Sequence, residues 1–164
     1  MTPPGIPARV CAVILNNDEV CLIRRHRPDG DQHSLPGGIV NADEHIADAL
    51  ARELREELDL DVTALPEPPR LRWVQDQHTT RPGTPGTFRR LHLIHVLDLP
   101  DAARRALAAT ERDAEDEASV VWVDLDKTAG LHLYPAAGDA LLKVRVPGAG
   151  VLLPPITDET YTWR

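Results

Sequence analysis

A single α/β or α+β domain is the fold class this sequence predicts, and three observations predict it. Two apolar runs, residues 9–15 (RVCAVIL) and 20–24 (VCLIR), flank a polar turn in the pattern of a β-hairpin. Ile46, Leu50, Leu54 and Leu58 recur every fourth residue, which puts one apolar stripe on a helix. Further strand-like runs follow at 71–77 (LRWVQDQ), 87–97 (TFRRLHLIHVL) and 119–123 (SVVWV). With 164 residues and 42% hydrophobic content the chain is long enough for one sizeable core, and it reads as one domain over residues 1–164.

The first eight residues are proline-rich and are expected to be flexible. The hairpin then turns at 16–19 (NNDE). Counted outward from that turn, Cys11 falls opposite a residue near Arg24 and not opposite Cys21, so the cysteines read as buried thiols of a reducing cytoplasm. The second strand leads into Arg24, Arg25, His26 and Arg27, the densest basic cluster in the chain, for which a strand end solvated by its charges is a sufficient account. Pro28, Asp29 and Gly30 break the strand, and 33–38 (HSLPGG) deliver the chain to the helix. Glycines at that point let backbone carbonyls approach an ion closely.

The helix is expected to begin close to Glu44, with Asp43 as N-cap and Glu44 in the acid-favouring first turn. Glu53, Glu56 and Glu57 stand at i, i+3 and i+4 and so form one carboxylate cluster along the edge of the apolar stripe. Two carboxylates about 5 Å apart repel by roughly 3 kcal/mol at an effective dielectric of about 20, against under about 1 kcal/mol in water. Near a buried edge the cluster needs a cation. Hard oxygen ligands with few competing nitrogen or sulfur donors suit Mg²⁺ or Mn²⁺ better than zinc. Arg52 reaches Glu56 and Arg55 reaches Asp59 at i+4, which orients the acids without replacing an ion. Taken alone, an acid-rich helix also describes an ordinary solvated face.

The full spacing goes further. Gly38, five residues, Glu44, seven residues, Arg52-Glu53-Leu54, one residue, Glu56-Glu57, two residues and Leu60 resembles the signature of the Nudix hydrolases. At average residue usage such a match at a given start arises by chance on the order of 10⁻⁸ of the time. Asp59 departs from it, standing where the family normally has glycine; a left-handed helix end suits glycine, and Asp tolerates it at a cost of about 1 kcal/mol. The resemblance implies an α/β/α sandwich with a mixed β-sheet. It also implies a Mg²⁺-dependent pyrophosphohydrolase, Mn²⁺ being the other ion considered, acting on a nucleoside diphosphate linked to a second group: a nucleoside triphosphate, ADP-ribose, a sugar nucleotide or similar.

Carried over by the resemblance, Glu53 and Glu57 are direct metal ligands, and Glu56 is a ligand or the base that takes a proton from water. The carbonyl of Gly37 or Gly38 is a further ligand, Arg52 holds the acids in register, and Glu44 supports them. The basic cluster gains a second reading, with Arg24, Arg25 and Arg27 as a phosphate clamp. Glu115 and Glu117 become candidates for a late metal ligand or general base, beside the plainer reading of an acidic solubility loop. A Nudix-like domain that binds nucleotide or ADP-ribose without turnover is the alternative, and clustered acids argue against it because a pure binder has no need of them. An isoprenoid diphosphate isomerase is a third reading, for which no cysteine lies near the box. Substrate markers are lacking: there is no SQPWPFPxS-like run, and Gln75 stands where an ADP-ribose enzyme often carries proline.

Past the box, 61–70 (DVTALPEPPR) has too many prolines for helix and reads as an ordered connection. The separator 79–86 (TTRPGTPG) reads as a hairpin loop too long for a tight turn, either a plain surface loop or a cover for substrate. His92 and His95 fall on opposite faces of their strand and cannot share a metal, and Trp73 reads as core. Residues 101–109 (DAARRALAA) have the composition of a short surface helix, and Pro135 opens a final helix through about Lys143. The tail, 147–164, is too proline-rich for a core element and too apolar for solvent, so it wraps the domain or a second subunit in a homodimer. A formal net charge of −8 without a basic stripe disfavours nucleic acid or an anionic membrane as partner. No apolar run approaches the length of a spanning helix, and the start MTPPGIP lacks a signal peptide, so the expected location is the cytoplasm.

Overall fold

The computed structural model describes residues 5–107, 118–148 and 150–161. Its elements in order are β1 (Ala8–Asn16), β2 (Glu19–Arg27), β3 (Gly30–Ser34), β4 (Gly37–Ile39), α1 (Ile46–Leu58), β5 (Arg70–Arg81), β6 (Thr84–Asp98), α2 (Asp101–Ala106), β7 (Ala118–Asp124), β8 (Leu133–Tyr134) and α3 (Gly138–Leu141). The strands join in one 8-stranded sheet with the path β5-β6-β1-β2-β3-β8, while β4 pairs with β1 and β7 with β2. The sheet is mixed: β1 runs parallel to β6 and β3 to β8, and the other pairs are antiparallel.

Helices cover both faces. Leu50, Leu54 and Leu58 of α1 pack on Val10, Ala12, Ile14 and Cys21. Cys11, Val13, Leu15 and Leu22 pack on the other side against Leu133, Ala137 and Leu141. The two sets alternate along β1, which explains why RVCAVIL is an unbroken apolar run: a central strand buried on both faces has no polar side to show. This is the α/β/α arrangement expected from the box.

The opening hairpin does not stay closed. β1 and β2 pair only at Leu15–Val20 and Asn16–Glu19. β7 holds one edge of β2 from Glu19 to Arg25, and on the other edge β3 takes over, so Arg24 faces His33. β4 takes over the edge of β1, and Cys11 faces Gly37 where a regular hairpin would have put it near Arg24. Both cysteines are free and buried. Burial pushes the Cys11 thiol up to about 11 and the Cys21 thiol up to about 12, against the opposing pull of Arg9 and Arg104 respectively and with the Glu57 charge a smaller contribution in the same direction as burial.

Several boundaries differ from expectation for identifiable reasons. Pro7 is tied down, its carbonyl accepting from Leu91 N, so order begins before residue 8. β2 runs on through the basic cluster because β3 pairs with it as far as Arg27. α1 starts at Ile46 behind His45, which makes no side-chain cap bond; Glu44 precedes the helix and Asp43 is not its cap. Ile46 is 46% exposed, so the buried stripe begins only with Ala49 and Leu50. Asp59 closes α1 in the left-handed region at φ 56, ψ 33. Its N–H bonds to Arg55 O and Leu60 N–H to Leu54 O, the two-bond closure that usually employs glycine.

β5 and β6 extend through the predicted loop to Arg81 and Thr84, leaving Pro82 and Gly83 as the turn, with Gly83 at φ 76. Pro135 follows a cis peptide bond after β8, and the final helix is confined to Gly138–Leu141. The described part of the tail lies along β5 of its own chain. Val74 N bonds to Val151 O, Leu153 N to Val74 O, Ile156 N to Asp76 O and His78 N to Ile156 O. Among the described residues no helix is long and apolar enough to cross a membrane.

Two predictions come from this frame. Asp59→Gly removes the left-handed penalty of a side chain, and urea unfolding is expected to show a gain of up to about 1 kcal/mol. His92 is fully buried, and burial first, with Arg9 and Arg90 after it, pushes its pKa down to about 3. Between about 3 and the ordinary histidine value of about 6.5, only the unfolded chain takes up this proton, so stability falls as pH drops through that window. The loss is at most about 1.4 kcal/mol per pH unit for this group. His33 and His95, also shifted down by burial, act in the same direction. Unfolding series between about pH 7 and pH 5 should show a shallower pH slope in His92→Phe than in the natural chain.

Candidate functional site

Arg52 ties the box together. Its Nη2 donates to Glu44 Oε1 at 2.7 Å and its Nε to Glu44 Oε2 at 3.1 Å, a two-pronged pairing of the guanidinium with one carboxylate. Its Nη1 donates to Glu53 Oε1 at 2.7 Å and, at greater length, to Glu56 Oε2 at 3.3 Å. Nη2 also reaches the carbonyl of Ile39 at 3.1 Å. One cation thus joins the end of β4, the turn before α1 and two acids of the helix. Glu44 is fixed from its other side by Asn41 N, which donates to Oε1 at 2.9 Å. The Arg52 hydrogen bond first, and the Asn41 N–H second, hold the Glu44 carboxyl below the usual carboxylate range. The same contact raises Arg52 further above its already high value.

Glu57 is placed differently. It is 8% exposed, turned towards the sheet, and its Oε2 accepts from Gly37 N at 2.9 Å. Glu53 lies beside it over Gly38, and a Cβ on Gly38 would land among the atoms of the Glu53 carboxylate. A Cβ on Gly37 would instead strike the Val10 carbonyl and the Cys11 backbone, and Gly37 sits at φ 152, which L side chains rarely adopt. The two glycines therefore have separate duties. Gly37 lets β4 lie against β1, and Gly38 leaves the space that Glu53 fills.

The donor set fits a hard divalent cation. Glu53, Glu56 and Glu57 offer only oxygen, and the absent side chains at Gly37 and Gly38 open the β4 backbone to them. Among the described residues no three His, Cys, Asp or Glu side chains already converge as a cage, and Arg52 stands between Glu53 and Glu56. The arrangement is a set of oxygen donors held in register by an arginine.

Other expected site residues are distributed differently. Arg55 pairs with Asp61 at 3.0 Å, beyond the helix end. Arg24, Arg25 and Arg27 alternate along β2 and cannot form one clamp: Arg25 and Arg27 leave from the face shared with Cys21 and α1, and Arg24 from the opposite face shared with Leu22. Arg25 Nη1 donates to Ser34 Oγ at 3.3 Å. Glu115 and Glu117 lie outside the described residues.

The sequence reading missed a buried polar layer on the sheet face opposite α1. Gln75, Gln77, Thr79 and His92 are at most 2% exposed, and Trp73 shares their side of β5. Their alternation with Val74, Asp76 and His78 is a strand signal, but with polar residues on the buried side it reads inverted. His92 and His95 do point to opposite faces, and Trp73 is core at 1% exposure.

The two glycines give contrasting expectations. Gly37→Ala collides with backbone that cannot yield and should cost about 2–4 kcal/mol in urea unfolding. Gly38→Ala meets only the end of a flexible side chain, so stability should change by less than about 1 kcal/mol while the Glu53 carboxylate is displaced. Isothermal titration with Mn²⁺ should show binding weakened in Gly38→Ala despite its retained fold.

Comparison with known proteins agrees with this geometry. The family model described as the NUDIX domain matches residues 5–142. A MutT protein from Bacillus halodurans superposes with a TM-score of 0.65 at 16% identity, covering 93% of this chain and 88% of its own. A MutT NUDIX hydrolase from Burkholderia pseudomallei gives 0.61 at 22% identity over 84% and 97%. A C. elegans Ap4A hydrolase, solved as a binary complex, gives 0.57 at 16% over 85% and 96%. No curated protein sequence matches. With the family model spanning most of the chain, and Arg52, Glu53, Glu56 and Glu57 gathered against the glycines of β4, the chain belongs to the NUDIX domain family.

Proposed function

We propose that this chain is a metal-dependent pyrophosphohydrolase that cleaves a diphosphate linkage in a nucleoside diphosphate joined to a second group. The observation that carries the reading is a buried glutamate, Glu57, bonded to the backbone of a glycine strand and flanked by a second acid, Glu53, in the space a side chain at Gly38 would occupy. Glu53 and Glu57, with a carbonyl of Gly37 or Gly38, would hold Mg²⁺ or Mn²⁺, and Glu56 would serve as a further ligand or as the base. When bound, the ion lowers the pKa of water, neutralises the diphosphate and stabilises charge on the oxygen that leaves.

The chain's own residues prepare this. Arg52 fixes the rotamers of Glu53 and Glu56 before substrate arrives, which reduces the ordering cost at the moment of reaction. Glu44 holds Arg52 in turn. Arg25 and Arg27, on the α1 side of β2, are the members of the basic cluster suited to meet phosphate, and Arg24 is not. Glu115 and Glu117 remain candidates for a late acid. The fold shared with MutT proteins and an Ap4A hydrolase supports a nucleotide-linked diphosphate as substrate class and leaves the second group open.

A panel of nucleoside triphosphates, ADP-ribose, sugar nucleotides and dinucleoside polyphosphates, assayed for phosphorylated products with Mg²⁺, Mn²⁺ or chelator, tests the reading. Turnover of at least one compound is expected, lost with chelator. Glu57→Gln keeps an oxygen for Gly37 N–H, so circular dichroism and melting temperature should stay near the natural values while turnover disappears, as it should in Glu53→Gln. Undiminished rates in either variant would refute the assignment, and binding of the whole panel without cleavage would favour a sensor.

A further inference from the structure

The buried layer opposite α1 contains two hydrogen-bond acceptors that have no donor. Gln75 Nε2 donates to the carbonyls of Ala136 and Pro154, each at 2.9 Å. Two backbone acceptors fix the amide with its nitrogen towards them, and Oε1, on the other side, is buried with no partner. Next to it, Gln77 Nε2 donates to Thr79 Oγ1, so Gln77 Oε1 is the acceptor for both Tyr134 OH at 2.7 Å and His92 Nε2 at 2.8 Å. His92 therefore carries its proton on Nε2. With burial and the nearby Arg9 and Arg90 keeping the ring neutral, Nδ1 is a bare acceptor, also buried and unpartnered.

Gln75 and His92 are register partners on β5 and β6, and Arg9 is the partner of His92 on β1. Arg9 Nη2 donates to Leu35 O, the guanidinium lies over the Tyr134 ring at 5.3 Å and beside the Cys11 thiol, and Nη1 is buried with no oxygen or nitrogen acceptor. Three neighbouring strands thus present, in line, an acceptor, an acceptor and a donor. Each orphaned group has given up its water without gaining a partner, a cost that apolar replacements of similar shape would remove. Residues directly opposite on paired strands have Cβ atoms about 5 Å apart, so one planar amino group can reach acceptors on both.

We propose that Gln75 and His92 are the recognition pair for an amino group on a heteroaromatic ring of the substrate, donating one N–H to each, with Arg9 Nη1 donating to the adjacent ring nitrogen. The inference rests on the nucleotide reading above and narrows it to an amino-bearing base. Tyr134, edge-on to His92 with ring centroids 5.1 Å apart, and the segment carrying Pro154 cover the pair. That segment is bound to the outer edge of β5 with Leu152 72% exposed; on this proposal it lifts to admit the ring, giving up the Pro154 bond while Ala136 O still holds the Gln75 amide nitrogen.

The test is calorimetric binding of nucleoside 5′-monophosphates to the full chain without divalent ions. Adenosine is compared with purine riboside, which has hydrogen in place of the amino group, and cytidine with uridine. In at least one pair the amino compound should bind about tenfold tighter or more, and that ratio should fall towards one in His92→Phe and in Gln75→Met. A merely structural role for either residue would lower affinities together and leave the ratio in place, so the ratio is read even if one variant fails to fold. Equal binding within both pairs, no binding of any of the four, or a ratio unmoved by both substitutions overturns the proposal. Hydrolysis of diphosphate compounds without base preference would leave the catalytic reading standing and remove this one. Base preference without hydrolysis in Mg²⁺ would do the reverse.

Discussion

The hydrogen bond between Gly37 N–H and the Glu57 carboxylate is the contact on which the site depends. A carboxylate at 8% exposure is stable only with partners, because moving an unpaired charge out of water costs several kcal/mol. A backbone N–H is available because β4 pairs only with β1, which leaves its other edge open to a side-chain acceptor. β4 in turn lies against β1 because β1 and β2 part after two residue pairs, leaving an edge free. The approach is close enough that only glycine fits at residue 37. A splayed hairpin, a glycine strand and a buried acid are thus successive consequences of one departure from regular pairing.

Charge is balanced locally and not by the molecule as a whole. The chain carries a formal charge of −8, which would repel a polyphosphate, and the box gathers further acids on one helix edge. Arg52 offsets part of this, joining Glu44, Glu53 and Glu56. Its side chain is 30% exposed, so each ion pair is screened and their worth lies more in geometry than in stability. Glu44 spends both oxygens on Arg52 and Asn41 N–H, which leaves it a brace. Glu57 is the acid that accepts from the backbone, at Gly37 N–H.

Much of this was legible in the sequence, and the rest was not for definable reasons. The acid spacing placed Glu53, Glu56 and Glu57 on one helix edge, and the left-handed end at Asp59 followed from its standing where glycine is usual. RVCAVIL announced a strand, and its burial on both faces accounts for the unbroken apolar run. The helix start was misplaced because Glu44 looked like a first-turn acid, whereas its carboxylate is claimed by Arg52, eight residues on, a tertiary contact that local capping rules do not contain. β3, β4 and β8 escaped notice because strands of five, three and two residues carry too little periodicity. The β5–β6 ribbon was cut short by Pro82, Gly83, Pro85 and Gly86, residues that an exposed ribbon tip tolerates. The polar layer was invisible because burial of Gln75, Gln77 and Thr79 contradicts the rule that polar alternation faces water.

β1 presents Val10 to α1 and Arg9 to the opposite face, so one strand sets the position of both the box and the polar layer. A core free to choose would fill the second face with aliphatic residues, as it does around Val13 and Ile94. Instead, at the end of the sheet nearest β4, the chain keeps glutamines, a neutral histidine and an arginine, and spans them with its own tail. The residues with unmet hydrogen-bonding capacity occur where β1 also pairs with the strand that holds Glu57, one residue pair from Gly38. Polar groups retained at a cost to stability, on the strand against which the acids are set, fit the proposed division in which one part of the sheet handles the phosphates and the other selects what is attached to them.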